Sequence, residues 1–243
     1  MLAASGNSPF LLGRRLWEET RVPLFEQSSD DRPEWARLAG TPCRVSFGTG
    51  WVRDGALELF QESVQLFPAL LPVLAPLSPL RELGDGAMPA LEELRLHHGT
   101  VWRWNRAVYD PASGGHLRIE LRALPAGPTL LDMLANAAML LGLTLRLSAD
   151  VDRLLPSMPF EHARRNFYAA ARNGLDAELF WPAAQAPSPR AIPARELIQT
   201  LLPLAREGLI DAHVDPGEVD ALLGIFAARV ERGMTGARWQ TET

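Results

Sequence analysis

Lysine is absent from this sequence: all 24 basic residues are arginine. That excludes a P-loop lysine, a Schiff-base lysine and a Ser–Lys dyad. Any phosphate must then be met by arginine, by backbone N–H or by a metal. Cysteine is nearly absent as well. Cys43 stands alone, so neither an intrachain disulfide nor a Cys-based zinc site can form. It lies between Pro42 and the strand-like run RVSF, the setting of a buried structural thiol rather than a nucleophile. A reducing cytoplasm is expected. The N-terminal MLAASGNSPF lacks a basic stretch followed by an apolar one, so no signal peptide is expected. The longest apolar run, Leu66–Leu80, is broken by Pro68, Pro72, Pro76 and Pro79. It is too short and too interrupted to span a bilayer, and is expected to lie extended against the core. Basic charge is not in excess either: the net charge is -5, which argues against a nucleic-acid footprint.

What is present is an ordinary globular balance, 47% hydrophobic and 22% charged over 243 residues. Residues 1–243 are expected to form a single domain with a real core. Apolar spacing predicts helices over Pro9–Gln27, Gly55–Phe67, Thr129–Leu145, Phe160–Arg172, Ala194–Leu209 and Pro216–Arg232. Thr129 caps its helix, Asn173-Gly174 ends another, and Asp215-Pro216 opens the last. Strand signals fall at Arg44–Phe47, along Glu92–Trp104 and at His116–Leu124. The last two are expected to pair as a hairpin across YDPASGG. Asp30–Pro42 reads as turn-rich and Ala183–Ile192 as a Pro/Ala loop. The class expected is α+β, an antiparallel sheet with helices packed on one face and a helical C-terminal half.

HLRIELR, His116–Arg122, concentrates the chemistry. Alternation sends Leu117, Ile119 and Leu121 to one face, predicted buried, and His116, Arg118, Glu120 and Arg122 to the other. Two explanations fit the polar stripe. One is a solvated face with cross-strand ion pairs. The other is a cleft floor where a carboxylate holds a divalent cation and arginine holds phosphate or carboxylate oxygens. Upstream, LHHGTVWRWNR (Leu96–Arg106) is dense in aromatic and hydrogen-bonding groups. On a strand, His97 and His98 would face opposite sides and could not readily share one metal. A Trp–Arg surface of this kind also suits a binding module that stacks ligands or single strands, although the acidic charge opposes nucleic acid.

The succession H-x-G-T-x-W-x-W-N-R, a turn, H-L-R-I-E-x-R-x-L-P-A-G-P-T and the D-M-L-A-N-A-A run resembles glutamate–cysteine ligase family 2. NSPFLLGRRLWEETRVPLFEQ, RVSFGTGWV and TGARWQ also look like family segments. The resemblance implies part of a glutamine-synthetase-like catalytic fold and an ATP-dependent carboxylate–amine ligase of glutathione-precursor synthesis. It implies ATP and Mg²⁺, with glutamate and cysteine or another amine as substrates. By the same resemblance Glu120 is a metal ligand, Arg122 and Arg106 are catalytic, and Thr100, Trp102 and Arg118 line the substrate side. Members of the family are about twice this length, and their first half carries a strand of clustered glutamates. Glu18-Glu19 is not placed like it. The chain therefore looks like the C-terminal half, either active or requiring a separate N-terminal half or a homo-oligomer.

Overall fold

In the computed structural model, residues 1–76, 78–182 and 188–243 are described. They form two compact units, Phe25–Ala123 and Met1–Leu24 with Leu124–Thr243.

In the Phe25–Ala123 unit, helix α1, Ala56–Leu66, packs with helix α2, Glu92–Gly99. α2 replaces the expected strand over the first half of Glu92–Trp104. Glu92 and Glu93 in its first turn suit the helix dipole. The β-branched residues begin only at Thr100 and Val101. The chain turns extended at Trp102. Strand β1, Val45–Ser46, runs parallel to β2, Trp102–Arg103. Strand β3, Asn105–Asp110, then pairs antiparallel with β4, His116–Leu121, so the expected hairpin forms across YDPASGG. Its register sets Arg106 opposite Glu120 and Ala107 opposite Ile119.

The core of this unit gathers Val45, Phe60, Phe67, Val101, Trp104 and Ala107. Trp104 Nε1 donates to Glu26 Oε1 at 3.0 Å. His98 is buried. Its Nδ1 lies 2.9 Å from Ser63 Oγ on α1 and its Nε2 2.8 Å from the Ala107 carbonyl on β3. The ring therefore ties helix to hairpin, and it also lies against Phe60.

The expected burial of Leu117 and Ile119 does not hold: they are 56% and 70% exposed, and Leu121 is half-buried. Alternation assigns residues to faces correctly, but burial needs a second layer. Among the described residues β4 has only β3 beside it, and no such layer covers Leu117 and Ile119. Nor does one broad antiparallel sheet form: the strands of the described residues pair two by two, and β1 with β2 is parallel.

In the other unit, helix α3, Leu130–Ser148, packs on α5, Ala194–Asp211, and α6, Pro216–Arg232. Helix α4, Phe160–Asn173, packs on a small sheet in which β5, Glu178–Trp181, pairs antiparallel with β6, Arg190–Pro193. Asn166 of α4 fastens that sheet by two 2.7 Å hydrogen bonds to the Phe180 backbone. The Thr129 hydroxyl accepts from Asp132 N–H, Asp215 accepts from Glu218 N–H, and Gly174 ends α4 at positive φ. These are the caps the sequence predicts.

α3 is long and apolar enough by composition to cross a membrane, and 33% of that apolar window is buried in the fold. α3 and α5 approach through glycine. A Cβ on Gly208 would lie 2.1 Å from the Gly142 carbonyl oxygen, and one on Gly142 would lie 2.2 Å from that of Ala205. Buried Arg229 of α6 crosses to α3. It meets Asp132 at 2.7 Å and Asn136 Oδ1 at 2.5 Å, and also donates to the Ala4 carbonyl.

The expected helix over Pro9–Gln27 is confined to Arg21–Ser28. Before it, Phe10–Leu11 pairs with Arg14–Arg15 about a turn in which Leu12 and Gly13 take positive φ. Glu19 lies fully buried and off any helix. Its carboxylate accepts from Asn7 N–H, the Ser8 hydroxyl and Arg21 Nε. Asp30–Pro42 holds one short helix, Glu34–Leu38. Of the expected loop Ala183–Ile192, residues 183–187 lie outside the described residues, as does Leu77 of the expected extended run. The end of that loop is strand β6.

Candidate active site

The hairpin brings Arg106, Glu120 and Arg122 together on one face. Arg106 faces Glu120 across the strands because the register makes them direct partners. Arg122 follows two residues after Glu120, so it projects to the same side. The same carboxylate oxygen, Oε2, receives Arg106 Nη2 at 2.8 Å and Arg122 Nη2 at 2.9 Å. The Arg122 side chain is 8% exposed, whereas that of Glu120 is 44% exposed. The Arg122 guanidinium also lies 3.6 Å from the centre of the Trp102 ring, within cation–π range. Phe25 holds that ring edge-on at 4.6 Å.

Two positive charges share one negative charge, so the cluster keeps one net positive charge. Burial pushes the Glu120 carboxyl up. The charges and hydrogen bonds of Arg122 and Arg106 outweigh it and hold the group below its usual range. Burial, then the charge of Arg106, lowers the Arg122 guanidinium against the opposing pull of Glu120. Arginine stays charged at neutral pH even so. Among the described residues, Arg106 Nε and Trp102 Nε1 are buried donors without a hydrogen-bond partner. Such groups are costly to leave unmet. Net positive charge with unmet donors is the chemistry of an anion site.

The other candidates sit around this centre. Thr100 donates its hydroxyl to the His97 carbonyl at 2.7 Å and accepts from Arg44 at 3.3 Å. It is engaged in ending α2. Arg118 shares the face of Glu120 but is half-exposed and paired with Asp110 at 2.8 Å. His97 and His98 both point to α1 and share no metal geometry: His97 Nε2 meets the Ser63 carbonyl.

A Mg²⁺ ion takes oxygen ligands in near-ideal octahedral geometry. Here one carboxylate is present, already held by two arginines. No group of three or more His, Cys, Asp or Glu that could hold a metal occurs among the described residues. The residues present do not fit a Mg²⁺ site.

Sequence reasoning missed Phe25, Glu26 and Asp110. Asp110 was legible, since it lies two residues beyond Val108, the partner of Arg118, and so on the same face. Phe25 and Glu26 lie some 80 residues upstream in the chain, about the length of a small domain, and no local pattern links them to the tryptophans.

Compared with known protein families, residues 65–243 match Glutamate-cysteine ligase family 2 (GCS2). The match includes Leu96–Thr129 and TGARWQ; the segments NSPFLLGRRLWEETRVPLFEQ and RVSFGTGWV precede it. No curated protein and no solved structure matches the chain.

Proposed function

The chain belongs to glutamate–cysteine ligase family 2, whose members are carboxylate–amine ligases, and we propose that it serves the ATP-dependent joining of glutamate to cysteine. In the first step an oxygen of the glutamate γ-carboxylate attacks the γ-phosphorus of ATP; ADP leaves and an acyl phosphate remains. In the second, the cysteine nitrogen attacks the acyl carbon, phosphate leaves with the C–O bonding pair, and the nitrogen gives up a proton. The product is the precursor of glutathione, made in the cytoplasm.

The observation that carries this reading is the Arg106–Glu120–Arg122 cluster with its net positive charge. Phosphoryl transfer asks a protein mainly for positioning and charge neutralisation. Arg122, fixed by Glu120 and the Trp102 ring, would meet the oxygens of the transferring group. Arg106 would present its unmet Nε to the same group. Thr100, Trp102 and Arg118 would line the substrate side. No residue needs to act as a covalent nucleophile.

The single carboxylate favours a second reading, in which this chain is a subunit completed by a separate N-terminal half. One assay addresses both. The purified chain is incubated with ATP, glutamate and cysteine, alone and mixed with the N-terminal half of a family member. ADP and γ-glutamylcysteine are quantified. Product in the mixture and little from the chain alone is expected. Full activity of the chain alone would discard the subunit reading. Absence of product in both would discard the ligase reading.

A further inference from the structure

We propose that two copies of this chain associate through the outer edges of β4, antiparallel, about a two-fold axis at Ile119. Three observations lead there.

The first is the open edge. Among the described residues, β4 pairs with β3 alone. Arg122 N–H donates to the Trp104 carbonyl on the β3 side. In an antiparallel ladder the inward and outward amides alternate. The even-numbered residues of β4 therefore turn their backbone groups to β3. Leu117, Ile119 and Leu121 turn theirs to the outside. Unpaired edges of this kind template the addition of another strand.

The second is self-complementarity. A two-fold axis at Ile119 sets Ile119 opposite its own copy and Leu117 opposite Leu121. All three supply the outward N–H and C=O groups that such pairs need. Arg118 then falls opposite Glu120 of the second copy, and Glu120 opposite its Arg118, both as non-hydrogen-bonded pairs where side chains come closest. Charge selects this register. An axis at Arg118 would oppose two arginines, and one at Glu120 two carboxylates, each unfavourable.

The third is exposure. Ile119 and Leu117 are 70% and 56% exposed, and in this arrangement they meet apolar side chains of the second copy. Arg118 is free to exchange, because its present pair with Asp110 is largely solvated, and such pairs contribute little. One pair of short strands buries less than a standard interface, so the dimer dissociates on dilution.

The two hairpins then form one four-stranded sheet, and Arg118 of the second copy becomes a third guanidinium beside Glu120. That last role rests on the ligase reading; the pairing itself does not.

Analytical ultracentrifugation over a hundredfold range of concentration tests the assembly. A reversible monomer–dimer equilibrium is expected. Ile119→Pro removes only an outward N–H, so it should leave the thermal melting of the monomer intact and abolish the dimer. Arg118→Glu should also abolish it, by opposing carboxylates. In a Cys43→Ser background, Ile119→Cys should oxidise to a disulfide-linked dimer, because a hydrogen-bonded pair brings the two Cα atoms within about 5.5 Å. Arg118→Cys should not. A wild-type chain monomeric throughout overturns the proposal. So does a dimer that withstands Ile119→Pro, or one whose position-118 cysteines cross-link as readily as those at 119.

Discussion

Glu120 and Arg106 are direct partners across the β3–β4 hairpin, and the carboxylate oxygen that takes Arg106 also takes Arg122. One half-exposed carboxylate thus sets the position of two guanidiniums that are far less exposed than itself. Removing it takes an ion-pair partner from both arginines at once. Removing either arginine leaves the other paired.

Arg122→Lys keeps the charge but loses the planar fork that serves Glu120 and a ligand oxygen together. In a reconstituted ligase we expect turnover to fall about a hundredfold, the loss typical of one transition-state contact, with the melting temperature nearly unchanged. Glu120→Gln keeps the shape and loses the charge that aligns both arginines, so its turnover should fall as well. Turnover beside melting temperature decides the matter. Normal turnover in both variants, with folding intact, would remove the cluster from the chemistry.

The α3–α5 crossing depends on Gly142 and Gly208, where an added methyl would overlap a backbone carbonyl. Gly208→Ala and Gly142→Ala should each destabilise the fold by about 1–3 kcal/mol, the usual cost of overpacking, or more. Gly224 lies in α6 with open space around it. Gly224→Ala should stabilise by about 0.5–1 kcal/mol. Urea denaturation of the three variants measures all of this, and equal effects would refute the crossing.

Burial lowers the pKa of His98 below its ordinary 6.5, the hydrogen bond to Ala107 opposes this, and the charges of Arg106, His97 and Arg122 lower it further. Because the folded pKa is depressed, the unfolded chain binds the proton more readily. Stability should therefore be constant above pH 6.5, decline as pH falls below it, and level off beneath the folded pKa. Denaturation midpoints of the wild type and His98→Gln between neutral and mildly acidic pH would show it. The variant should be weaker throughout but lose less on acidification. A parallel pH dependence would contradict a buried neutral His98.

The sequence by itself determined whatever depends on neighbours a few residues apart. Thr129 and Asp215 announce their helices because a side-chain oxygen three positions before a free N–H caps it. The two-residue period of HLRIELR puts Glu120 and Arg122 on one face, and the YDPASGG turn turns β4 back along β3. Leu96–Thr129 carries enough of the family pattern to be recognised. The tertiary structure decided burial and long-range partnership. Glu92–Gly99 became a helix, which buried His98 against Ser63 rather than splaying two histidines across a strand. Leu117 and Ile119 stayed exposed because a strand's apolar face is covered only where another layer meets it. Phe25 came to Trp102 from far along the chain. Local spacing sets the direction in which a side chain points; what it meets there depends on packing between segments distant in sequence.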